Sequence, residues 1–85
     1  MTFAERLGAN LREARRRSDM TQASVAAQMC LTSSAISQYE KGIRVPCVMY
    51  VAMMSEIYGT SLDDIVPPVE VPGEKIDENQ MKGEW

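Results

Sequence analysis

Through residue 66 the apolar positions of this chain recur at helical spacing, not strand spacing. Phe3, Leu7, Leu11 and Ala14 fall at i, i+4, i+8 and i+11, one stripe of a helix whose other faces carry Arg and Glu. Gly8 within that helix costs about 1 kcal/mol relative to alanine, a cost that close packing against another helix would explain. Arg15-Arg16-Arg17 suits a helix C-terminus, where the dipole favours cations, and Ser18-Asp19 reads as a turn.

Thr21 is placed to cap a second helix over 21–29, with Met20 and Val25 spaced as a hydrophobic staple and Val25, Ala26 and Met29 facing inward. The same grammar repeats at Thr32, with Leu31 before the cap and Ile36 inside. This predicts a third helix over 33–40, closed by Gly42 as a left-handed cap. Two short capped helices joined by Cys30-Leu31 have helix-turn-helix spacing. Pro46 marks the start of a fourth helix that runs to Tyr58 and closes at Gly59. Its expected inward face is Val48, Val51, Ala52, Met54, Ser55 and Tyr58. Ser61 caps a short fifth helix with Leu62 and Ile65 inward, and Pro67-Pro68 stops the pattern. The expectation is an all-α fold: a compact five-helix domain over 1–66, then a flexible acidic tail over 67–85.

Composition narrows the function. The 85 residues allow one small domain. With no histidine, the commoner zinc sites and any His-based acid–base dyad are excluded. Cys30 and Cys47 read as free thiols, and Ser33 and Ser34 have no base to activate them, so no enzyme and no cofactor are expected. No apolar run reaches the roughly 18 residues of a membrane span, and the opening residues lack a signal peptide's apolar core. A cytoplasmic protein is the expectation. The net charge of −3 conceals its distribution. Residues 1–44 carry a net +3, whereas residues 67–85 carry −3. A mildly basic front is compatible with nucleic acid, and the acidic tail masks it in the total.

Four motifs, in order and at the right spacing, resemble the phage-repressor and Cro-like (XRE) helix-turn-helix family. They are Thr21-Gln22, Ile36-Ser37-Gln38-Tyr39-Glu40-Lys41-Gly42, Val45-Pro46 and the closing Tyr58-Gly59-Thr60-Ser61-Leu62-Asp63-Asp64-Ile65. The resemblance covers residues 3–66 and implies a lambda-repressor-like fold. Two positions depart from the family pattern. Cys30 stands where glycine is frequent, which implies a non-glycine residue in a less favoured backbone conformation or a slightly different turn. Thr60 stands where an apolar residue is usual.

In such proteins the third helix lies in the major groove. The resemblance therefore places Ser33, Ser34 and Gln38 at base edges, against the bland reading of solvated polar residues, and leaves Ser37 divided between DNA and local packing. Gln38 can contact adenine bidentately, but no arginine on this surface supplies the commonest guanine contact. Gln22 resembles the family glutamine that meets a phosphate, the alternative being a solvated first-turn residue. Lys41 and Arg44 resemble phosphate contacts, with Arg12, Arg16 and Arg17 looser candidates. Arg15, one turn beyond Leu11, pairs by resemblance with Glu40 as a structural ion pair.

The fourth helix is apolar almost all round, leaving Met49, Tyr50, Met53 and Ile57 beyond its inner face. One reading is a two-fold dimer interface; the other is a wider monomer core partly covered by the tail. The tail itself reads either as a solubilising segment or, through Val69, Val71, Ile76, Met81 and Trp85, as one that docks on the apolar patch or the basic face. The function expected is a sequence-specific regulator, a repressor of phage or mobile-element type, binding an inverted repeat of double-stranded DNA as a homodimer. The alternative is an antitoxin or regulatory protein-interaction module. No small-molecule substrate or membrane partner is implied.

Overall fold

A computed structural model describes residues 1–69, and the expectations for the rest of the tail lie outside those residues. Among the described residues the chain forms α1 (Phe3–Arg17), α2 (Gln22–Met29), α3 (Ser33–Lys41), α4 (Val48–Tyr58) and α5 (Leu62–Ile65), with no strand. Each helix places one fully buried side chain at the centre: Leu11, Val25, Ile36, Met54 and Ile65. Even the one-turn α5 is therefore anchored, and Asn10 Nδ2 donates to Ile65 O at 2.9 Å to tie its end to α1.

Local chemistry explains the boundaries. Thr2 and Glu5 form a reciprocal capping box at the start of α1, a T-x-x-E signal that the apolar periodicity overlooks. Thr21 and Thr32 accept from the amides of Ser24 and Ala35, each satisfying a donor in the first turn of α2 and α3. Four helix ends close alike. Asp19, Cys30, Gly42 and Gly59 adopt positive φ. The next amide in each case returns to a carbonyl five residues earlier: Met20 to Arg15, Leu31 to Ala26, Ile43 to Gln38 and Thr60 to Ser55. Cys30, at φ 56°, thus performs the turn without glycine's freedom.

Several expectations change. Phe3 is 38% exposed, because it opens α1 beyond the reach of the core. α4 starts at Val48, two residues after the buried Pro46, and Val48 is 82% exposed instead of inward. The later start leaves Val48 on the helix's first, outward turn, while Val51, Met54 and Tyr58 form the buried stripe. Leu62 is also exposed; Ile65 alone fills the space that α5 covers. The Ser61 hydroxyl gives α5 no cap bond and donates to the Asp64 carboxylate at 3.1 Å instead. α3 extends to Lys41, and Pro67 is buried, so packing continues one residue past the expected boundary.

α3 lies directly against α1. A Cβ on Gly8 would meet the backbone carbonyl oxygens of Tyr39 and Glu40, the latter at 2.5 Å. A Cβ on Gly42 would meet Glu5 Cα at 2.8 Å. The two glycines admit the approach from opposite sides, and neither obstruction is a flexible side chain. Helix propensity alone predicts that Gly8→Ala stabilises by up to about 1 kcal/mol. The contact reverses the sign: we expect a loss of about 1–3 kcal/mol in urea denaturation.

Candidate nucleic-acid interface

The surface centred on α3 is set by what its inner side must bury. Ile36 and Tyr39 enter the core, which turns Ser33, Ser34 and Lys41 to solvent and leaves Ser37 and Gln38 half-buried at the edge of the same helix. Thr32 ties down the helix start, so the serines stand on an ordered first turn. Past Gly42 the exposed Arg44 swings back, its guanidinium 6.0 Å from the centroid of the Tyr39 ring. Arg12 is exposed on the edge of α1 that also carries Gly8 and Arg15, the edge facing α3. Small polar groups thus occupy the middle of the surface, with cations at its margins.

Glu40 is the buried charge beneath this surface. Arg15 Nε donates to Glu40 Oε2 at 2.7 Å and Nη2 to Oε1 at 3.0 Å, a two-pronged pair whose side chains are 13% and 4% exposed. Arg15 Nη1 also donates to Met20 O at 2.9 Å, so one guanidinium joins the end of α1, the turn into α2 and the end of α3. The bonds to Glu40 raise the Arg15 pKa above its ordinary value, against the effect of burial. Gln22 completes the cluster, its Nε2 donating to Glu40 Oε1 at 3.1 Å. No local sequence signal announces that contact, because the partners lie 18 residues apart. Arg17 differs: it meets Glu13 at 3.2 Å in an exposed i,i+4 pair.

The four α4 residues expected at an interface differ in exposure. Tyr50, Met53 and Ile57 pack in part against the core, and of the four residues only Met49 stays exposed, at 60%. Val48, Val45 and Ile43, in the first turn of α4 and the α3–α4 connection, are exposed apolar residues as well. Sequence reasoning used Val45 only as part of the Val45-Pro46 motif and placed neither it nor Ile43 at an interface; apolar residues in a loop with no helical period were the available signal. Both cysteines are free and exposed. Among the described residues no cluster of three or more His, Cys, Asp or Glu could hold a metal ion, and no helix is long and apolar enough to cross a membrane.

The chain belongs to the helix-turn-helix domain family, whose sequence model matches residues 6–66. Its fold is that of helix-turn-helix DNA-binding domains. It is similar to the DNA-binding domain of BldD from S. venezulae, with 25% identity, a TM-score of 0.67, and coverage of 76% of this chain and 97% of that one. It is similar also to the clp gene regulator ClgR from C. glutamicum, with 25% identity, a TM-score of 0.72, and coverage of 76% and 84%. A third likeness, at 20% identity and a TM-score of 0.70, is to hydroxypropylphosphonic acid epoxidase from S. wedmorenis; it covers 80% of this chain but 36% of the enzyme. No curated protein sequence matches the chain.

Removing one partner of a buried pair leaves the other charge uncompensated. We expect Arg15→Ala to lower stability by about 3–5 kcal/mol and Arg17→Ala by less than about 1 kcal/mol, measured by chemical denaturation. An unchanged thermal midpoint for Arg15→Ala would contradict a structural role. Tyr58 supplies a pH test. Burial first, and Glu40 second, push its phenol from 10.0 up to about 12, and its hydroxyl has no hydrogen-bond partner among the described residues. The neutral form favoured by folding contributes fully below pH 10.0, and that contribution is lost as pH rises toward about 12. The fall in thermal midpoint across that window should be shallower in Tyr58→Phe than in the wild type.

Proposed function

We propose that this chain is a sequence-specific transcriptional repressor of phage or mobile-element type, which binds an inverted-repeat operator in double-stranded DNA as a homodimer. The outward face of α3 carries the reading: a helix that follows a helix-turn-helix turn presents Ser33, Ser34, Ser37 and Gln38 around a firmly held axis. BldD's DNA-binding domain and the regulator ClgR, similar along most of their lengths, support it. Ser33, Ser34 and Gln38 meet base edges, with Ser37 at the margin; Gln22, Lys41, Arg44 and Arg12 meet phosphates. No catalytic step is involved. An occupied operator overlapping a promoter excludes the polymerase.

The homodimer uses the exposed strip Ile43, Val45, Val48 and Met49, which lies beside Lys41 and Arg44 in the chain; a two-fold protein of this kind reads half-sites about one helical turn, roughly 34 Å, apart. The same strip favours the second reading, a protein-interaction module or antitoxin that docks a different chain there. Sedimentation of the protein alone separates a dimer from a monomer awaiting a partner.

Selection from a random duplex pool is expected to enrich an inverted repeat. On that site Gln38→Ala should lose about 1–3 kcal/mol of discrimination at one base step. Lys41→Ala should instead weaken binding to every duplex and reduce the log–log salt slope by about 1. Salt-independent association with DNA would contradict the reading.

A further inference from the structure

The Gln22 side chain makes a contact that DNA binding by itself does not require. Its Nε2 donates to Glu40 Oε1 at 3.1 Å, while Arg15 holds both oxygens of that carboxylate and the Glu40 side chain is 4% exposed. An ionised carboxylate only accepts hydrogen bonds. The carboxamide therefore cannot turn over, because its own oxygen would then face Glu40 Oε1 acceptor to acceptor. An amide nitrogen carries two hydrogens, and they diverge. Glu40 takes one; the other has no acceptor among the described residues. Half-buried at the start of α2, Gln22 lies where this second hydrogen can meet solvent or a ligand. Arg15 also matters to an incoming anion, since it cancels a carboxylate charge that would otherwise repel phosphate.

We propose that Glu40 is a positioning residue for DNA: by holding one Nε2 hydrogen of Gln22, it presents the other to a backbone phosphate oxygen. The inference rests on the DNA-binding reading above and deepens it. Docking α3 on α1 and gripping the DNA backbone then share one carboxylate. A glutamine without this tether would have to order its side chain on binding, and the contact would weaken accordingly.

The test is a double-mutant cycle of Gln22→Ala and Glu40→Met, which removes the acceptor, with affinity for a mixed-sequence duplex read by fluorescence anisotropy at low salt. With Glu40 in place, Gln22→Ala should weaken binding about tenfold, the scale of one hydrogen bond to a charged group. In the Glu40→Met background the same substitution should change affinity by less than about twofold. Any effect of the freed Arg15 charge enters both arms and cancels. Equal penalties in the two backgrounds overturn the positioning role and leave the DNA reading intact; absence of duplex binding by the wild type overturns both. Should Glu40→Met not fold, the wild type decides by NMR of the Gln22 side-chain amide during duplex titration. One proton should keep its shift while its geminal partner moves. Movement of both, or of neither, overturns the proposal.

Discussion

The paired charges of Arg15 and Glu40 organise this small domain. Both carboxylate oxygens are held by one guanidinium, and the third prong of that guanidinium closes on Met20 O at the entry to α2. Such a pair is not a large net source of stability, because withdrawing two charges from water offsets most of their attraction. Its effect is geometric. Once both groups are buried, any displacement of α3 along α1 separates them at a high cost, so a single register survives. Gly8 and Gly42 make that register accessible by letting the backbones of α1 and α3 meet closely, one glycine on each side of the contact. The outward face of α3 is consequently a rigid feature of the molecule and not of one helix.

The chain reaches this arrangement with very short connections. Four successive helices end in the same left-handed closure, and glycine supplies only two of the four turns. Asp19 and Cys30 adopt the conformation at some backbone cost, tolerated because Met20 and Leu31, immediately after them, pack against the core. In the helix-turn-helix this couples the turn to the hydrophobic interior. The angle between α2 and α3 is fixed by what is buried beneath them, which suits a surface that must match a groove.

A shared fold does not confer a shared activity. The same helical arrangement is part of an epoxidase at 20% identity and makes up nearly the whole of a BldD DNA-binding domain. What argues for DNA here is local: small hydroxyls and an amide on the outer face of α3, cations at its margins, and a buried neutral pair that leaves no bare carboxylate beneath them. The exposed apolar residues Ile43, Val45, Val48 and Met49 follow directly in the chain.

The helices and their ends were legible in the residues themselves, because the physics that sets them acts within about five positions. Thr21, Thr32, Gly42 and Gly59 punctuate the chain, and the spacing of Leu7, Leu11 and Ala14 requires a buried stripe. The family motifs carried the likeness to helix-turn-helix proteins for the same reason: caps and turns are local. Failure came where the pattern was degenerate or the partners distant. α4 is apolar on nearly every face, so periodicity could not choose between Val48, which is exposed, and Met54, which is buried; the choice depended on where α1, α2 and α5 lie. Leu62 and Ile65 are equally apolar, yet only Ile65 meets the core. The link from Gln22 to Glu40 crosses a turn and nearly two helices, a span over which no residue type prescribes its partner. Short-range hydrogen bonding and sterics were therefore written in the sequence, while the choice of faces and the meeting of distant polar groups arose only when five helices had to bury one common core.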